Sequence, residues 1–178
     1  MNIYAKRAFR TFSSLFIFFI FYNSSAQNIK FGVTGGLFHG SGTIKDVAGT
    51  SSITAGNTGF YAGGFAKFGL SEKFGLTTEL DYGNLNGTGS LHLFAGVSYY
   101  LVPKFYLLAG PQVSYLSGLK GEDITKAGMD VAFGVGYDIT EHFYLNARYS
   151  LELSDRLNDD PDATARLNWL LVGIGYSF

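Results

Sequence analysis

The sequence predicts an all-β fold, an eight-stranded antiparallel up-and-down transmembrane β-barrel. Three observations predict it. Apolar residues recur at every second position from Asn28 almost to the end. The alternating segments are joined by short turns and longer polar loops in strict succession. The face opposite the apolar one is built largely from glycine and a few long polar side chains.

Composition sets the frame. The chain has 178 residues, enough for one domain, and is 47% hydrophobic and 17% aromatic but only 15% charged. A globular domain carries about a quarter charged residues. With no cysteine there is no disulfide framework, thiolate nucleophile or cysteine metal site. Lys6, Arg7 and Arg10 precede the apolar run Leu15–Tyr22, and Ser24 and Ala26 supply the small residues of a cleavage site. A cleaved signal peptide is therefore expected over 1–26, with a barrel domain over 27–178. The alternative is an N-terminal membrane anchor, for which eight strongly apolar residues fall well short of the roughly 20 needed. Without the leader's three basic residues, ten basic face fourteen acidic. That balance gives no reason to expect nucleic acid as a partner.

Eight segments alternate: Ile29–His39, Gly59–Leu70, Lys73–Asn84, Leu91–Leu101, Phe105–Leu116, Gly128–Ile139, His142–Leu153 and Arg166–Phe178. The seventh is the clearest. Phe143, Leu145, Ala147, Tyr149, Leu151 and Leu153 form one face; His142, Tyr144, Asn146, Arg148, Ser150 and Glu152 form the other. Outward positions elsewhere include Phe31, Val33 and Leu37, then Phe60, Ala62 and Phe68, then Phe74, Leu76 and Leu80. Leu93, Val97, Tyr99, Phe105, Leu107, Val113, Val131, Phe133, Val135 and Tyr137 continue the set. Short turns are expected at Ser71–Lys73, Val102–Lys104 and Thr140–Glu141. Longer loops are expected at Gly40–Thr58, Leu85–Ser90, Ser117–Ala127 and Ser154–Ala165.

A soluble barrel also alternates, but turns its apolar face inward to a ligand. Here the faces opposite the apolar ones are too small for that. Gly32, Gly63, Gly75, Gly96, Gly110, Gly134, Gly136, Gly173 and Gly175 all fall on the polar side, where they leave room for a few long polar side chains. Tyr99, Tyr100, Phe105, Tyr106, Tyr137, Phe143, Tyr144, Tyr176 and Phe178 lie near segment ends, as interface girdles do. Pro111 breaks the pattern: inside a closed sheet its missing donor calls for a β-bulge or a water-filled rung near Gly110–Pro111.

Inward positions carry Lys67, Glu79, Asp81, Asp130, Asp138, Arg148 and Glu152. Counted from the short turns, Glu79 and Arg148 face each other at one height. An ion pair between them is expected, with Lys67 and either Gln112 or Asp81 joining. A plug that fixes strand register is the favoured reading, against a gate or proton path. Catalysis would need a base arrangement on the rim. His39 and His92 lie toward the long loops near Ser41 and Ser90, and His142 lies at a short turn; no lipase spacing emerges. Asp155, Asp159, Asp160 and Asp162 read as a solvated acidic loop rather than a Ca²⁺ site, since an EF-hand's Gly and closing Glu are missing. No cofactor or metal is expected.

The stretches "GFYAGGFAKFGLSEKFGLTTELDYG" (Gly59–Gly83), "KFYLLAGPQVSYL" (Lys104–Leu116) and "GYDITEHFYLNARYSLEL" (Gly136–Leu153), with the ending "LNWLLVGIGYSF", resemble the PorT-type outer-membrane β-barrel family, within the wider OmpA/OmpX-like small barrels. The resemblance covers most of the mature chain. It implies an outer-membrane location and assigns no activity. It also implies that Tyr176 and Phe178 belong to a C-terminal signal read by the outer-membrane assembly machinery. The resulting expectation is a monomeric, non-enzymatic barrel in the lipid bilayer, both termini in the periplasm, with a structural or surface-interaction role and an extracellular partner at the long loops. The alternatives are a minor pore, a lipid-modifying enzyme and a soluble periplasmic ligand-binding barrel.

Overall fold

The computed structural model describes residues 29–46, 52–85, 87–117, 125–157 and 163–178. The expected leader, and Asp159, Asp160 and Asp162, lie outside these. Eight strands follow one another: β1 (Ile29–Asp46), β2 (Ser52–Gly69), β3 (Phe74–Leu85), β4 (Thr88–Val102), β5 (Phe105–Ser117), β6 (Ala127–Asp138), β7 (Phe143–Glu152) and β8 (Ala163–Ser177). Each pairs antiparallel with the next, and β8 returns to β1 to close the barrel. The closure runs from Gly32–Ser177 to Asp46–Ala163, and the Phe178 N–H donates to Phe31 O at 2.9 Å.

The pairing fixes the barrel's geometry. From Arg148 the ladder leads through Gly134, Leu108 and Ser98 to Gly75 on β3. The other way it leads through Leu171 and Phe38 to Gly59, one step beyond the Phe60–Asn84 pair and so level with Leu85. The two routes reach β3 ten residues apart. For eight strands at ordinary spacings this stagger means a tilt of roughly 40°.

The outer wall is apolar. Phe31, Val33, Leu37, Phe60, Leu80, Leu93, Val97, Val113, Phe133, Leu145, Val172 and Ile174 are all exposed there. A continuous apolar wall of this extent has no counterpart on a water-soluble monomer. Tyr99, Tyr137, Phe143, Tyr176 and Phe178 also face outward, and Tyr176 packs on Phe143 with ring centroids 5.0 Å apart.

Several expectations fail. Tyr100, Tyr106 and Tyr144 do not belong to a girdle: they lie inside the barrel, where Tyr100 packs against the buried Tyr106 and donates to Asp138 Oδ2 at 3.3 Å. The lumen is more aromatic than its glycines suggest, because those glycines seat rings as well as long polar side chains. A Cβ on Gly136 would run into the Tyr106 ring, and one on Gly175 into the Tyr144 ring. Phe38, Phe65, Phe94 and Trp169 fill the rest.

The first long loop is mostly strand. β1 and β2 each run to 18 residues, and the hairpin extends as far as Lys45–Ser52. Its Gly, Ser and Thr content reads as loop, but paired threonines suit a strand: Thr43 and Thr54 touch through their hydroxyls at 3.3 Å. The Leu85–Ser90 loop is likewise a tight hairpin. Leu85 pairs with Thr88, Gly87 takes φ 91°, and Asn84 Oδ1 accepts its N–H at 3.0 Å. Pro111 causes no bulge. The β4–β5 ladder pairs Phe94 with Gln112 and Val97 with Ala109 and leaves the two rungs between unpaired in unchanged register; the shift falls instead at Tyr100–Val102. The short turns are as expected in place. Leu70 and Ser71 N–H donate to Phe74 O, and Thr140 Oγ1 accepts from His142 and Phe143 N–H.

Gly136→Ala is expected to lower stability by about 1–3 kcal/mol, since the Tyr106 ring cannot retreat within a filled lumen. Gly64→Ala is the contrast: on the outer wall its Cβ meets only Gly32 O at 3.7 Å. That variant should equal the parent or exceed it slightly. Urea unfolding in detergent, followed by the heat-resistant gel band, measures both.

Candidate functional site

Strand stagger decides which charges meet. The β3 residues directly across the barrel from Arg148 flank Leu80, midway between Gly75 and Leu85. These are Glu79 and Asp81, both on inward positions. Arg148 Nη2 donates to Asp81 Oδ2 at 2.6 Å, and Nη1 lies 3.1 Å from Glu79 Oε1. All three side chains are at most 3% exposed. The guanidinium carbon sits 4.6 Å from the centre of the Phe94 ring, which covers one face of the cation. Two carboxylates thus share one guanidinium in a site without bulk water.

Lys67 and Gln112 do not join this group. Lys67 lies nearer the short turns, where Nζ donates to Tyr106 Oη at 2.9 Å and faces Asp138 Oδ1 at 3.8 Å. The same ammonium stands 3.4 Å above the Tyr144 ring. Gln112 lies toward the long loops and donates from Nε2 to Asp130 Oδ2 at 3.1 Å and Ser150 Oγ at 3.0 Å. The strand tilt separates these residues: Gln112 is joined to Glu79 through Phe94 along the ladder, yet each strand crossed changes height.

Sequence reasoning missed Arg156, placed within the acidic loop. The chain beyond β7 stays between its neighbours, with the Arg156 N–H donating to Ala165 O at 3.0 Å, and Arg156 is only 2% exposed. Its Nε donates to Glu152 Oε1 at 2.7 Å, Nη2 to Ser114 Oγ at 2.7 Å and Nη1 to Lys126 O at 3.0 Å. Continuing the inward count of β7 through Glu152 reaches residue 156, and that parity was the available signal. Asp155 Oδ1 ties this segment to the start of β8 by accepting N–H from Leu157 at 3.1 Å and Ala165 at 2.9 Å. Burial pushes its carboxyl pKa up, but the N–H groups of Ala165, Leu157 and Arg156 and the charge of Arg166 hold it below the ordinary aspartate range.

Between the charged groups lie apolar plugs. Phe38, Tyr61, Leu116, Trp169 and Leu171 form one, and Phe94, Tyr106, Leu108 and Ala132 the other. Cavities lie toward both ends: one of 180 Å³ by Lys67, Asp138 and Tyr144, and one of 550 Å³ at the long-loop mouth above Trp169. Of the histidines, His92 is buried against Trp169, with ring centroids 4.8 Å apart, and its Nε2 contacts Ser90 Oγ at 3.0 Å. Its Nδ1 has no partner among the described residues, so no third group orients the ring as a triad requires. His39 Nδ1 contacts Thr58 Oγ1 and His142 Nδ1 contacts Ser177 O.

This architecture is shared with solved membrane proteins. OprG from Pseudomonas aeruginosa superposes with a TM-score of 0.50 at 14% identity, covering 86% of this chain and 98% of that one. Neisserial surface protein A gives 0.51 at 16% identity over 83% and 97%. Ail, the attachment invasion locus protein of Yersinia pestis, gives 0.50 at 14% identity over 84% and 98%. The fold is that of the small outer-membrane β-barrels. At such identities the likeness speaks for the fold alone. No protein-family model and no curated protein matches the chain, so the narrower PorT-type resemblance gains no support there.

Arg148→Ala leaves two buried carboxylates facing each other and is expected to cost about 3–5 kcal/mol. Adding Glu79→Gln and Asp81→Asn should recover much of that loss. The midpoint of urea unfolding in detergent micelles checks both steps.

Proposed function

We propose that this chain is a non-enzymatic integral outer-membrane barrel that acts through its long-loop end. The observation that carries the reading is an apolar outer wall around a lumen filled with side chains. Phe38, Phe94, Arg148 and Trp169 are each at most 2% exposed, so the middle of the barrel has no room for a solute stream. The wall calls for lipid, and the filled lumen leaves only the two ends for contact with anything else.

In this reading residues 1–26 are removed on export, and the short turns lie in the periplasm with both ends of the mature domain. Tyr176 and Phe178, exposed side by side on the closing strand, serve as the segment recognised by the assembly machinery. The group of Arg148, Glu79 and Asp81 fixes how β3 and β7 stand across the lumen; it is a structural element and not a gate. The protein works as a monomer, and the mouth formed by β1, β2, β8 and the segment after β7 is the contact surface. Within the class, the stretches Gly59–Gly83, Lys104–Leu116 and Gly136–Leu153 favour kinship with the PorT-type barrels.

The test is expression in a Gram-negative host followed by outer-membrane extraction. The band near the mature mass should shift on boiling, and its N-terminus should read Gln27. Purified protein in planar bilayers should give no steady conductance, and host lipid A should keep its mass. A band confined to the soluble fraction, without a heat shift, refutes the membrane reading. Steady single-channel steps would make it a pore.

A further inference from the structure

The β1–β2 hairpin and the start of β8 reverse their polarity partway up. On the outward face of β1 the order is Phe31, Val33, Gly35 and Leu37, followed by His39, Ser41 and Thr43. On β8 the outward residues Ile174, Val172 and Leu170 give way to Asn168, Arg166 and Thr164. β2 changes from Phe60 to Thr58, Gly56 and Thr54. The changes on β1 and β2 are level, since Leu37 pairs with Phe60 and His39 with Thr58; on β8 the change falls two residues higher, since His39 still pairs with Leu170 and Ser41 with Asn168.

The inward face changes in the opposite sense. Above the level of Phe38 it carries Ile44, Ile53, Ala55 and Leu167, over a floor of Trp169 and Leu116. Ile44 is 51% and Ile53 70% exposed, although they point toward the barrel axis and pair directly across the hairpin. They stand on the 550 Å³ cavity, a volume that suits a small apolar ligand. Surface isoleucines are ordinary when single. Here the outer face of the same ribbon is polar, so the apolar residues are collected on the concave side. Among the described residues, the ionised ones along this cavity are Arg156 and Arg166, both cationic. Arg156 is engaged with Glu152, while Arg166, rooted on the outward face of β8, is exposed at the rim, where its charge also acts on Asp155.

We propose that the long-loop mouth is a closed-bottomed binding cup for a single-chain anionic amphiphile of the fatty-acid type. Its chain lies between the hairpin's concave face and Leu167, and its carboxylate lies toward Arg166. The filled lumen below Trp169 makes the cup a receptor site and not the entrance of a conduit. The inference rests on the proposed function in placing this end outside the cell, and it names the ligand class for that contact surface.

Trp169 is the chain's single tryptophan and forms the cup's floor, so its fluorescence reports occupancy. The probe is 9,10-dibromostearate, titrated into the mature protein in phosphatidylcholine nanodiscs, with brominated phosphatidylcholine nanodiscs as the control. Saturable quenching at micromolar probe is expected, well above that from the brominated phospholipid. Ile53→Glu should raise the half-saturating concentration at least about tenfold, whereas Thr54→Glu, on the outward face, should change it less than about twofold. The methyl ester should bind several-fold more weakly than the acid, and Arg166→Glu should erase that difference. Quenching that never saturates, or that matches the phospholipid control, overturns the proposal, as does an equal effect of Ile53→Glu and Thr54→Glu. Each variant is first checked for its heat-dependent gel shift. An unshifted parent would refute the barrel reading itself, whereas a shifted parent without saturable quenching refutes only the cup.

Discussion

Closure of β8 onto β1 is the constraint on which the rest depends. In hydrocarbon an unpaired backbone N–H or C=O costs several kcal/mol, so a sheet that crosses lipid has to end on itself. Once eight strands close with a stagger of ten residues, the pleat assigns every strand residue to lipid or lumen, and the tilt fixes which lumen residues share a height. Glu79 and Asp81 meet Arg148 because of that geometry, although 67 residues separate Asp81 from Arg148 in the chain. Lys67 and Gln112 are excluded from the group by the same rule.

The filling of the lumen follows from the space that closure leaves. A barrel of this size holds one layer of side chains and little else. Rings seated over glycines, such as Tyr106 at Gly136 and Tyr144 at Gly175, use that space closely, and the charged groups occupy the gaps between apolar plugs. Each of the lumen cations then lies against an opposite charge or an aromatic face. Lys67 has Asp138 and Tyr144, Arg148 has two carboxylates and Phe94, and Arg156 has Glu152. Removing one partner is costly because water cannot replace it.

The alternation of β7 made its two faces legible in full, and counting from the short turns sufficed to set Arg148 against β3. Height elsewhere was not legible, since it depends on stagger, a property of all eight pairings together. Composition misled at the long-loop end. Gly, Ser and Thr in the first hairpin suggested loop, yet cross-strand pairs such as Thr43–Thr54 and Ile44–Ile53 hold it as strand. Tyr106 and Tyr144 were misplaced because nearness to a strand end was weighed above their parity, which already pointed inward. Arg156 escaped because counting stopped where β7 stops.

The upper hairpin has a bearing on how deep the protein sits. β2 is paired on both sides only from Phe60 down; from Gly59 to Ser52 it pairs with β1 alone. Among the described residues, one flank of that stretch therefore has no strand beside it, a condition that water tolerates at little cost and hydrocarbon does not. The backbone thereby acts as a depth gauge: on this side of the barrel the hydrocarbon boundary cannot rise above the Phe60–Asn84 pair. Leu37 and Phe60 mark the upper shore of the lipid, and the hairpin above them stands as a headland in water.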